Sequence, residues 1–150
     1  MKKRKILIRL FSIIIIIIFL FTIQYFIHKK DIKDIENIEI KLNCGYLSPT
    51  YTYRFNFLNN SIMHKTEDYD EDETFYTEFT DKNAKYFVKK ANLYGFFNWK
   101  KSYKTKNGGH DLPYTYISII YKNDGIQIID CDNAYPPNYD KMAEVFYRCV

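Results

Sequence analysis

Asp130, Cys131, Asp132 and Asn133 sit together in the stretch IIDCDNAYPPN, residues 128 to 138, and His110 and Asp111 precede them in the polar segment KKSYKTKNGGHDLP. Asp130 and Asp132 share a parity, so a strand reaching that far would set both carboxylates on one face, where a general acid and base could reach one substrate. His110 beside Cys131 or Cys149 would instead supply a base and a thiol nucleophile. Neither arrangement carries a local signature. The chain has no zinc-ligand spacing, phosphate-binding glycine loop or nucleophile elbow. His110, Asp111 and Asp130 are therefore weak catalytic candidates, serving only an alternative reading as a small cell-envelope hydrolase. Asp68, Asp70 and Asp72 in EDYDEDE imitate the first ligands of a calcium loop, but the sixth position is Glu73 where glycine is needed, and the twelfth is Phe79 where glutamate is needed. That run reads as a solvated acidic loop, and no metal or other cofactor is expected.

Recognition is the better-supported chemistry. Tyrosine and tryptophan offer large contact area with few rotatable bonds, and the chain has 15 Tyr and one Trp. Trp99, Tyr103, His110, Asp111, Asn133 and Tyr135 form the expected binding set. In this reading Pro136 and Pro137 stiffen the corner after Cys131 and present Tyr135 rigidly. A competing structural role exists for part of the set: Phe96, Phe97 and Trp99 follow a helix directly and would plug it onto a sheet.

The elements that must position these residues are legible from periodicity. Ile38, Ile40 and Leu42 alternate with polar residues, as do Tyr51, Tyr53, Phe55 and Phe57, the signature of strands. Leu58 to Ser61 is turn chemistry leading into a third strand, Ile62 to Thr66, and Thr74 to Phe79 reads as a further extended piece. Thr80 or Asp81 caps a helix with Ala84, Phe87, Val88 and Ala91 on one face, and Gly95 ends it. Tyr114 to Tyr121 is apolar on both alternating faces, Lys122 to Gly125 is a hairpin turn, and Ile126 to Cys131 returns. Asn138 is expected to cap a last helix, Tyr139 to Cys149. The expected fold is α+β in the order β-β-β-α-β-β-α, an antiparallel sheet of about four to five strands with two helices on one face.

Ahead of this domain lies an apolar run, Leu10 to Ile27, preceded by Lys2, Lys3, Arg4, Lys5 and Arg9. Its length and the charge asymmetry predict a single-pass signal anchor with the N-terminus in the cytoplasm. The expected organisation is a basic tail over 1–5, a transmembrane helix over 6–28, a tether over 29–37 and an extracytoplasmic domain over 38–150. Charge then changes meaning. Of 22 basic side chains, seven precede residue 31, leaving 15 against 18 acidic, a net −3. An acidic domain lacks the clustered positive charge that nucleic-acid binding needs, so the expected partners are the membrane and a protein or envelope polymer, with no nucleic acid. An exported location permits a disulfide, and Cys131 with Cys149 is the pairing that a final helix folded back on its strand would allow. The odd count of three cysteines leaves one thiol over in any case.

The succession NW-x3-Y at Asn98 to Tyr103, a short loop with Asp, a strand, NDG, a strand and DNAYPPNY resembles uncharacterised membrane-anchored extracytoplasmic domains of low-GC Gram-positive bacteria. The resemblance spans roughly residues 85 to 147 and departs from the pattern at Asp111-Leu112. It implies location and domain status, with no activity to carry over. The expected function is a membrane-tethered extracytoplasmic binding domain without catalytic activity, an immunity protein or envelope adaptor. A structural component of a membrane assembly is a further alternative.

Overall fold

The β-strand Ile35–Asn43 (β1) opens the domain and stands at the middle of its sheet. The computed structural model describes residues 11–23, 29–43, 48–68, 72–105, 114–123 and 125–150. On β1, Ile38, Ile40 and Leu42 face inward while Glu39 and Lys41 face away, the alternation a strand's period of two imposes. A bulge between Ile35 and Asn37 lets Ile35 and Ile38 both reach the core despite their odd separation.

β2 (Thr50–Asn56) and β3 (Ser61–Glu67) form a hairpin. Its turn closes because the Asn56 side-chain oxygen accepts from the backbone N–H of Leu58 at 2.9 Å and Asn59 at 3.0 Å, while Asn60 takes a left-handed φ of 53°. β4 (Asp72–Glu78) then pairs with β3 along its whole length. The helix α1 (Asp81–Leu93) starts where the Thr80 hydroxyl accepts from Asn83 N–H at 3.2 Å. It buries Ala84, Phe87, Val88 and Ala91. Gly95, at φ 71°, reverses the chain into a short 3₁₀ turn, Phe96–Asn98. β5 (Ser102–Lys104), β6 (Tyr114–Tyr121), β7 (Gly125–Asp132) and α2 (Tyr139–Cys149) complete the fold.

The strands make one seven-stranded sheet in the order β4-β3-β2-β1-β6-β7-β5. It is mixed, because β5 runs parallel to β7, where an antiparallel sheet of four to five strands was expected. The two additional strands lie at the edges. All seven β4 residues are exposed and β5 is three residues long, so neither has the one buried face that produces a period-two pattern. Both helices lie on one face, as their aromatic contacts demonstrate: Phe55 of β2 meets Phe87 of α1 at 5.3 Å and Phe146 of α2 at 6.0 Å. Asn138 occupies the expected N-cap position, its carbonyl accepting from Met142 N–H at 3.1 Å, but its side chain does not cap. It takes a left-handed φ of 61°, and its amide donates to Tyr94 O at 3.4 Å.

The expected transmembrane anchor is corrected. Among the described residues no helix is long and apolar enough to cross a membrane. The described residues there, 11–23, are helical. Residues 6–10 and 24–28 of the expected span lie outside the described residues. The chain beyond is held to the domain at Lys30, whose backbone N–H donates to Asn92 Oδ1 at 2.9 Å and whose carbonyl accepts from Asn92 Nδ2 at 2.7 Å.

Candidate functional site

Trp99 is a core residue, 6% exposed, with its ring edge-on to Phe96 at 4.9 Å. This is the plug arrangement, and it removes Trp99 from any exposed rim. The Tyr139 ring centroid lies 6.2 Å from that of Trp99, and Tyr135 packs against Tyr139 in a tilted pair with centroids 4.4 Å apart. The expected pair is thus linked through a third ring, with Tyr135 alone, 45% exposed, reaching the surface. Tyr103 is spent locally: its hydroxyl oxygen accepts from Lys100 N–H at 2.8 Å and closes the turn into β5. Asn133 adopts φ 55°, and its amide donates to Asp132 Oδ1 at 2.9 Å. His110 and Asp111 lie outside the described residues.

Asp130 points to the face opposite the helices, where it accepts from the Tyr114 hydroxyl at 2.7 Å. Burial, then this bond to Asp130, pushes the Tyr114 hydroxyl up to about 12. Cys131 and Cys149 are both buried and free, so the expected bridge is not formed. Cys131 on β7 pairs with Thr115, which bonds Tyr139 at the start of α2, whereas Cys149 is at the helix's far end, with its sulfur 4.0 Å from the Asn83 carbonyl. Ten residues of helix are about 15 Å, too far for a disulfide. Burial pushes both thiols up to about 11, in Cys131 helped by Asp130. A nucleophilic thiol needs the opposite environment.

The surface that the sheet leaves uncovered has a different character. Across β6 and β7 the registers Tyr116↔Asp130, Ser118↔Ile128 and Ile120↔Ile126 place Tyr116, Ile120, Ile126 and Ile128 on the face away from the helices. Ile126 is 65% exposed and Ile128 40% exposed. Beside them runs a groove of about 390 Å³ lined by Asn37, Glu39, Arg54, Tyr116, Ser118 and Ile120. Its charged wall is formed by neighbours on β1 and β2: Arg54 Nε donates to Glu39 Oε2 at 2.8 Å, and Lys41 lies 3.7 Å from the same carboxylate. Among the described residues the Asn37 side-chain oxygen in this groove is buried without a hydrogen-bond partner. The site is therefore an apolar strip bordered by a polar groove, able to bind through area and hydrogen bonds.

The signal for this face was present in the sequence as the double-sided apolar pattern of Tyr114 to Tyr121 and the isoleucines of β7. Such a pattern calls for a covering layer on each side of the strands, and both described domain helices are on one side. The chain matches no model of a known protein family, and no curated protein is significantly similar to it.

Proposed function

We propose that this chain is a non-catalytic binding module whose open sheet face receives a partner protein. The observation that carries this reading is the apolar strip Tyr116, Ile120, Ile126 and Ile128 on the outer face of β6 and β7, with Ile126 and Ile128 exposed on strands whose other face buries Ile117, Ile119, Ile129 and Cys131. An antiparallel sheet facing water normally alternates apolar and polar residues, and a contiguous apolar patch with a polar border is the usual composition of a protein-binding surface. The groove formed by Glu39, Arg54 and Asn37 would supply orientation, since hydrogen bonds to fixed polar groups set the register of a partner more than its affinity.

An immunity or adaptor role is compatible with such a surface and would give the partner its biological identity. The test is in-cell photo-crosslinking from Ser118, which lies opposite Ile128. A single protein adduct that disappears with Ile128→Asp is the expected result. An adduct pattern unchanged by Ile128→Asp, or the same pattern from a probe on the exposed helix residue Lys85, would overturn the reading.

A further inference from the structure

The other end of the sheet is an open edge. β4 is seven residues long, pairs without a bulge from Glu67↔Asp72 to Ser61↔Glu78, and contains neither proline nor glycine. Edge strands are ordinarily blunted by shortness, bulges, prolines or lysines, because their free N–H and C=O groups are a template for another strand. β5, at the opposite edge, follows that rule with three residues. β4 does not.

Its free groups can be assigned. Phe79 N–H donates to Asn60 O at 2.7 Å, so Asn60 and Phe79 form a hydrogen-bonded pair. By the alternation of antiparallel ladders, Thr77, Phe75 and Glu73 then bond to β3, while Asp72, Thr74, Tyr76 and Glu78 direct their backbone groups outward. Among the described residues no other backbone hydrogen bond reaches this edge. Phe75, 54% exposed, and Tyr76, 73% exposed, flank it on opposite faces.

Charge decides what can pair there. β4 carries Asp72, Glu73 and Glu78 and no basic residue. Lys65 engages Asp72 at 3.0 Å, and among the described residues no ion pair joins Glu73 or Glu78. A second copy pairing antiparallel along the full strand would set Asp72 opposite Glu78 at both ends, and like charges placed directly opposite are destabilising. A strand with lysine or arginine at alternate positions would meet carboxylates on either face of the edge.

We infer that the β4 edge accepts an extended, basic segment of a partner protein, which adds to the sheet as an eighth strand. Main-chain hydrogen bonds to Thr74 and Tyr76 supply the affinity, and the carboxylates and the Phe75 and Tyr76 rings select the side chains. This surface is separate from the open face of β6 and β7, so either reading can fail without the other.

The test titrates a fluorescein-labelled peptide of alternating Lys and Val, matched to β4 in length, into the full chain and follows anisotropy. Saturable binding is expected, with no binding by the corresponding Glu and Val peptide. Thr74→Pro removes an outward N–H that the β3 ladder does not use, and is expected to weaken binding at least about tenfold. Methylating alternate backbone nitrogens of the peptide is expected to abolish binding in one frame and spare it in the other, because only one side of an added strand meets β4. That arm uses the unaltered protein and does not depend on the variant folding. Equal binding in both frames would reduce the interaction to charge attraction and overturn the inference. So would an absence of binding, or a self-association in sedimentation that Thr74→Pro abolishes, which would make a second copy the occupant.

Discussion

Phe87 of α1 and Phe146 of α2 meet with ring centroids 5.5 Å apart, directly above Phe55 of β2. This contact joins the two helices to each other and to the sheet, and Phe55 and Phe87 are both fully buried. Phe87→Ala is expected to destabilise the domain by about 3–5 kcal/mol, because it removes the ring's burial and leaves a cavity among residues that cannot all collapse into it. Urea unfolding followed by tryptophan fluorescence measures this directly, since Trp99 packs on Phe96 in the same cluster.

The open face gives the opposite expectation. Ile128→Asp alters a side chain already 40% exposed, so it should cost about 1–2 kcal/mol, from lost strand preference and partial burial, and leave the domain folded. A loss of folding in that variant, seen by circular dichroism, would mean that the outer face of β7 is covered in the free protein.

Gly95 tests backbone conformation alone. Its φ is 71°, and a Cβ added there meets nothing within 4 Å. Gly95→Ala should therefore cost on the order of 1 kcal/mol from the left-handed conformation, whereas Gly95→Asn should cost less, since asparagine tolerates this region. A thermal melt of the two variants compares them.

Alkaline pH should unfold the protein by a defined route. Burial raises the Cys131 and Cys149 thiols from 9.0 to about 11, and the Tyr114 and Tyr139 hydroxyls from 10.0 to about 12. A group that holds its proton more tightly when folded contributes stability that is complete below its unfolded value and is lost as pH rises through its folded value. Stability should be level up to about pH 9 and decline between about pH 9 and 12. Tyr139→Phe, which also gives up a 3.0 Å hydrogen bond to Thr115, should flatten the upper part of that decline. Denaturant unfolding across this pH range is the measurement.

The two buried thiols make a prediction about redox behaviour. In a Cys44→Ser background, Cys131 and Cys149 should react with a thiol reagent only as fast as the protein opens, and reductant should leave the melting temperature unchanged. Mass spectrometry of the alkylated protein counts the free thiols. An oxidised form with a higher melting temperature would show that the helix end at Cys149 can reach β7.

Much of the fold was readable wherever one side of an element is buried and the other is wet. β1, β2 and α1 each carry that contrast, and Ala84, Phe87, Val88 and Ala91 are buried as their spacing requires. β4 and β5 lack it, since an edge strand exposed on both faces has no reason to alternate; β4 showed only as the extended piece Thr74 to Phe79, outside the counted strand order, and β5 not at all. The binding set divided along the same line. Trp99 and Tyr135 are equally aromatic in sequence, yet one packs against Phe96 and the other lies outside Tyr139. Asp130, proposed on chemistry, is tied to Tyr114 across the strand pair.

By itself the sequence determined the α+β class, the order of the strongly periodic elements, the helix on Ala84 to Ala91 and the acidity of everything after residue 30. These follow from local periodicity and composition, which need no partner to be expressed. Only the tertiary structure decided that both helices share one side of the sheet, that Cys131 and Cys149 stand at opposite ends of α2, and that β6 and β7 turn an apolar face outward. Each of these depends on which elements become neighbours, and neighbours far apart in the chain are chosen by packing rather than by any local pattern.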